Sequence, residues 1–113
     1  MKLLVVGSRS IEKFDLAPYI SDEVDTVISG GAVGIDTLAE EYADRHKLSK
    51  YIIRPRYALY GKRAPLIRND EMVDMADAVL IIWDGRSRGA EHTIKYAKKT
   101  GKPLTLVTTE ALD

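Results

Sequence analysis

Three glycines fall within five residues in Ser29-Gly30-Gly31-Ala32-Val33-Gly34-Ile35-Asp36. The run follows the β-branched residues Val24, Val27 and Ile28 and precedes a segment with helical apolar spacing, which places the glycines in a strand-to-helix turn. A residue without Cβ takes φ > 0 freely and lets a ligand approach the backbone. The first N–H groups of the following helix are unpaired donors at the positive end of its dipole, and phosphate or carboxylate is the guest that suits them. The competing reading is a tight turn against which helix and sheet simply pack. Asp36, in the first helical turn, either accepts ribose hydroxyls or caps its own helix.

Two further turns carry the same residue types. Gly7-Ser8-Arg9-Ser10 closes an N-terminal apolar run, and Asp84-Gly85-Arg86-Ser87-Arg88-Gly89 closes the apolar run 78–83. Arg9 can hold a phosphate through two parallel hydrogen bonds or stand solvated, while Ser8 and Ser87 can touch a ligand or close their turns. Arg68-Asn69 sits at the end of a stretch, 54–68, that holds Arg54, Arg56, Lys62, Arg63 and Arg68 and no acid. That is a local anion-facing surface in a neutral chain. Tyr57 and Tyr60 within it can stack on a base or pack the loop. Trp83 reads as core because it ends a buried strand. His92 reads as a surface or capping residue, since no partner acid or second nearby histidine defines a triad or a metal site. His46 suits the negative end of its helix.

The elements that must position these residues alternate. Strands are expected at 2–6, 24–29, 51–53, 78–83 and 103–108. Ile35, Leu38, Ala39, Tyr42 and Ala43 make the clearest amphipathic helix, a second starts near Ala64-Pro65 and runs to about Ala76, and a third runs from about Ala90 to a Gly101 cap. Ile11, Phe14, Ala17 and Ile20 share one side of a short helix that Pro18 would break. Strand–helix alternation predicts an α/β, doubly wound, parallel five-stranded sheet of order 3-2-1-4-5 with helices on both faces. In that order the carboxyl ends of strands 2, 1 and 4 are neighbours, and ligands bind at the switch point between strands 1 and 4. Topology alone therefore brings the three glycine turns together.

Composition narrows the classes. The chain of 113 residues is read as a single domain spanning 1–113, able to bury roughly two thirds of its unfolded surface. Lys plus Arg and Asp plus Glu both number 17, so no global field points to nucleic acid or a membrane. The absence of cysteine removes disulfides, thiolate nucleophiles and Cys-ligated metals. The apolar run Leu3–Val6 is too short for a signal peptide or a span. A cytoplasmic protein with no membrane partner is expected.

Gly7-Ser8-Arg9, Ser29-Gly30-Gly31-Ala32-x-Gly34-Ile35-Asp36, Arg68-Asn69 and Asp84-Gly85-x-Ser87-x-Gly89 together resemble the SLOG superfamily, and within it the small YspA/YpsA-like branch. The likeness spans nearly the whole chain. It implies a Rossmann-like fold that binds a nucleotide or nucleotide derivative at Gly7, Ser8, Arg9, Gly30, Gly31, Gly34, Asp36, Arg68, Asn69, Asp84, Ser87 and Gly89, with no other cofactor or metal, and a homodimer. A redox dinucleotide fits poorly, because the place of G-x-G-x-x-G after the first strand holds Gly7-Ser8-Arg9-Ser10. The related LOG phosphoribohydrolases imply a nucleoside 5′-monophosphate N-glycosidase as an alternative. Their catalytic glutamate aligns with Thr93, which leaves Glu91, two residues earlier, or Asp36 as the candidate catalytic group assisting departure of the base. The related Smf/DprA proteins imply single-stranded DNA binding, here through residues 54–68.

Overall fold

The computed structural model describes residues 1–109. Its order is β1 (Lys2–Gly7), a 3-10 turn (Ala17–Tyr19), β2 (Thr26–Ser29), α1 (Ile35–Arg45), β3 (Ser49–Ile52), α2 (Tyr57–Tyr60), a 3-10 turn (Gly61–Arg63), α3 (Ala64–Met75), β4 (Ala78–Trp83), α4 (Arg88–Thr100) and β5 (Leu104–Thr108). All four strand pairings are parallel and the order is β3-β2-β1-β4-β5. This is the expected Rossmann-like α/β sheet. No helix among the described residues is long and apolar enough to cross a membrane.

Burial explains which strands are central. β4 is apolar along its length and β1 is apolar from Leu3 to Val6, and the inner four residues of each are buried, as strands covered on both faces must be. β3 and β5 mix exposed and half-buried residues and form the edges. Alternate side chains of β1 feed two cores. Leu3 and Val5 join Ile35, Ala39, Tyr42 and Ala43 of α1 on one face, whereas Leu4 and Val6 join Met72 and Val73 of α3 and Ile94 and Ala97 of α4 on the other.

The segment 11–20 is not an α-helix. Pro18 falls in the first turn of the short 3-10 element, where its missing N–H is not needed, and an α-helix running through it would lose a hydrogen bond. The apolar residues still reach the core: Leu16 and Ile20 are buried, and Ile11 and Phe14 pack against the same cluster. The basic stretch is also not an open loop. Tyr57 to Arg63 is helical, in two short pieces with no buried residue. α4 begins two residues earlier than Ala90, because the Ser87 hydroxyl caps it by accepting the Ala90 N–H at 3.3 Å.

Gly7 is required by close approach. A Cβ at this position would collide with the side chain of Ile35, the first residue of α1, so the glycine lets α1 lie directly on the end of β1. We expect Gly7→Ala to destabilise the fold by about 1–3 kcal/mol through overpacking. Urea unfolding measures it, and an unchanged midpoint would contradict the close approach.

Candidate functional site

The turn after β2 turns inward on itself. Asp36 is 6% exposed and its carboxylate accepts the Ala32 N–H at 3.1 Å, with the Gly30 N–H also stabilising its charge. Burial raises its pKa above the usual carboxylate value, and these backbone donors and the nearby Arg68 oppose that shift. Backbone donors of the glycine turn are thus partly occupied by the chain's own carboxylate. Arg68, on α3, is 8% exposed. Its Nη1 donates to the carbonyls of Gly30 at 2.6 Å and Ile53 at 3.1 Å, and its Nε donates to Asn69 Oδ1 at 2.8 Å. Burial lowers its pKa, while Asp36 and the Tyr57 phenol support its charge.

The glycines of this turn are therefore set by protein contacts. A Cβ on Gly30 would stand 2.7 Å from Arg68 Nη1 and 3.0 Å from Asp36 Oδ2. At Gly34, with φ +80°, it would stand 2.8 Å from the carbonyls of Ser8 and Arg9, because here the β2 turn crosses the β1 turn.

Ser8 is 1% exposed and ties β1 to β4: its N–H donates to the Ile82 carbonyl at 3.1 Å and its hydroxyl accepts the Asp84 N–H at 3.0 Å. Asp84 organises the turn after β4. Its Oδ1 accepts the N–H groups of Arg86 at 2.8 Å and Ser87 at 2.9 Å, and its Oδ2 accepts from the Ser10 hydroxyl at 2.8 Å. The two backbone donors are the main cause that lowers its pKa far below the usual carboxylate range.

Between these turns and α3 lies a cleft of about 430 Å³, in the size range of small-molecule sites. Of the candidate residues it is lined by Gly7, Arg9, Asp36, Arg68, Asn69, Asp84, Ser87 and Gly89. Ser8, Gly30, Gly31 and Gly34 lie behind the wall rather than in it. Gly31, with φ +74°, packs toward Ile52 and Arg54. Ser10 and Arg86 complete the polar side, and Ala32 also lines the cleft. Pro65, Leu66 and Met72 supply an apolar wall from α3, which the sequence reading did not include. Its only early signal was the helix start at Ala64-Pro65 just before Arg68. Arg9 and Arg86 are exposed, and neither enters an ion pair among the described residues.

Glu91 does not line the cleft and pairs with Lys95 at 3.0 Å. Thr93 is fully buried, its hydroxyl donating to the Gly89 carbonyl at 3.0 Å. His92 meets an acid on another helix: its Nε2 lies 2.9 Å from Asp70 Oδ1 on α3. Together with the Tyr96 hydroxyl on Asp74 at 2.9 Å, this contact fastens α4 to α3 beside the cleft. Among the described residues no group of three or more acidic or histidine side chains is placed to hold a metal. Compared with models of protein families, with curated proteins and with solved structures, the chain matches none of them.

The two cleft carboxylates act on stability with opposite signs. Asp84, depressed in the folded state, contributes stability that is present above the unfolded value of 3.8 and is lost as pH falls through the folded value. Asp36, raised in the folded state, favours folding when protonated, and its contribution is lost as pH rises from 3.8 through its folded value. Urea unfolding across pH 2–8 should therefore show Asp84→Asn less stable than wild type at neutral pH, with the gap narrowing below about pH 4. In Asp36→Asn the loss of stability with rising pH should disappear. A gap for Asp84→Asn that is constant with pH would contradict the first assignment.

Proposed function

We propose that the cleft binds a nucleotide or nucleotide derivative and that the protein acts as a binding module, whether sensor, carrier or sequestering protein, of the SLOG type. The observation that carries this reading is the convergence of the β1 and β4 turns around Arg9 and Arg86, which enter no ion pair among the described residues, facing an apolar wall from α3. Two guanidinium groups that enter no ion pair among the described residues favour an anionic ligand, and a phosphate monoester carries the charge and the bidentate geometry they suit. Gly89, in the first turn of α4, adds a close-approaching backbone at the same end. The apolar wall gives the rest of the ligand a surface to cover.

Binding without turnover is favoured over glycosidic hydrolysis by the state of the carboxylates. An N-glycosidase needs one that can reach C1′ as nucleophile or stabiliser. Asp36 and Asp84 are engaged by their own turns, and Glu91 is outside the cleft.

Calorimetry with the four nucleoside 5′-monophosphates and the matching nucleosides tests the reading. The phosphorylated compounds should bind and the nucleosides should bind more weakly. Arg9→Ala and Arg86→Ala should each reduce nucleotide affinity by about tenfold, the scale of a lost charge-assisted hydrogen bond. No heat and no thermal shift with any of the nucleotides would overturn it.

A further inference from the structure

We propose that the Asn69 amide and the first turn of α4 at Gly89 form a neutral donor pair that seats a phosphate oxygen of the ligand on the buried side of the cleft; this deepens the nucleotide reading above and rests on it. Gly89 is a glycine that the fold does not require. Of the eight glycines, five take positive φ, and a Cβ on Gly7 or Gly30 would collide with other side chains. Gly89 has neither reason. Its φ is outside the left-handed region, and a Cβ there would meet only Asn69 Nδ2, at an ordinary contact distance of 4.0 Å. It also sits in the first turn of a 13-residue helix, and glycine is the poorest helix former after proline. The space its missing side chain leaves belongs to the cleft, which Gly89 and Asn69 both line.

Asn69 faces the same space. It is 7% exposed, and its Oδ1 accepts from Arg68 Nε at 2.8 Å. A guanidinium N–H can only donate, so this bond fixes the amide with its oxygen toward Arg68 and its Nδ2 turned away. Nδ2 carries two N–H donors and has no acceptor among the described residues. No side-chain nitrogen or oxygen sealed within the described residues lacks a partner, so Nδ2 opens into the cleft, on the side where Gly89 leaves room. The helix end adds donors of its own. Ser87 Oγ takes the Ala90 N–H, while the N–H groups of Arg88 and Gly89 have no acceptor among the described residues, as at most helix starts. A buried amide donor and the positive end of a helix dipole thus meet at one small space. An anionic oxygen that accepts from several donors at once suits it, and on a nucleotide that is a phosphate oxygen. Arg9 and Arg86, on the exposed side, supply the charge, and the neutral pair supplies the fixed position.

Two variants separate binding from folding. The methyl of Gly89→Ala enters open space on a helix, so its thermal midpoint should equal or exceed that of wild type. Its affinity for adenosine 5′-monophosphate, by calorimetry on the full chain, should nevertheless fall about tenfold or more. Asn69→Asp keeps an oxygen for Arg68 Nε and the shape of the side chain but replaces the donor with an acceptor, and it should cost at least as much affinity. Both variants should weaken ribose 5-phosphate by the same factor as the nucleotide, because the phosphate is the shared group. A variant that folds and binds both ligands like wild type overturns the subsite and leaves the nucleotide reading standing. So does a loss confined to adenosine 5′-monophosphate, or a wild-type protein that binds it but not ribose 5-phosphate. A Gly89→Ala midpoint well below that of wild type would assign the glycine to folding and overturn the proposal as well. Should Asn69→Asp fail to fold by circular dichroism, Gly89→Ala decides alone. If wild type binds no nucleoside monophosphate, the subsite and the nucleotide reading both fall.

Discussion

The buried guanidinium of Arg68 joins parts of the chain that the sheet alone does not hold together. Through its donors it grips the carbonyl of Gly30 after β2, the carbonyl of Ile53 after β3, and the side chain of its neighbour Asn69 on α3. The carboxyl ends of two strands and the helix that covers them are thus fixed by one side chain. A buried charge is tolerable only with such partners, and Asp36 supplies the countercharge from α1. The Gly30 backbone can pass between the two because it has no Cβ. The cleft inherits its shape from this cluster.

With that frame in place, the distribution of free and occupied donors follows. Asp36 and Asp84 each take up the backbone N–H groups of a glycine-rich turn, and Ser8 stitches the β1 turn to β4. Turns of this composition are often read as anion sites because unpaired N–H groups converge in them. Here internal carboxylates satisfy many of those groups, which makes the turns rigid walls. What is left for an outside anion is concentrated on the two exposed arginines and the start of α4. The electrostatics of the cleft are therefore more specific than a count of its glycines implies.

Much of the fold was legible in the residue pattern. Apolar runs with no polar interruption, 3–6 and 78–83, mark the central strands β1 and β4, and the spacing of Ile35, Ala39, Tyr42 and Ala43 marks the buried face of α1. These signals are legible because burial on a strand or helix repeats with the backbone period. The segment 11–20 misleads for the same reason. Its apolar residues are spaced like a helix, yet they reach the core from irregular chain around Pro18. His92 is a further case. Its acid, Asp70, is 22 residues away and meets it only because α3 and α4 share one face of the sheet.

The sequence by itself determined the parallel sheet, its order, and the convergence of three glycine- and hydroxyl-rich turns at the carboxyl end of the sheet, because strand–helix alternation with right-handed crossovers leaves little topological choice. Only the tertiary structure decided which residues in those turns face outward. Gly30, Gly31, Gly34 and Ser8 serve the wall, while Arg9, Arg86 and the apolar residues of α3 face the cleft. The physical reason is that a glycine or a carboxylate carries the same local signature whether its partner is a ligand or another part of the chain. That partner is chosen by contacts between residues far apart in sequence, such as Arg68 with Gly30.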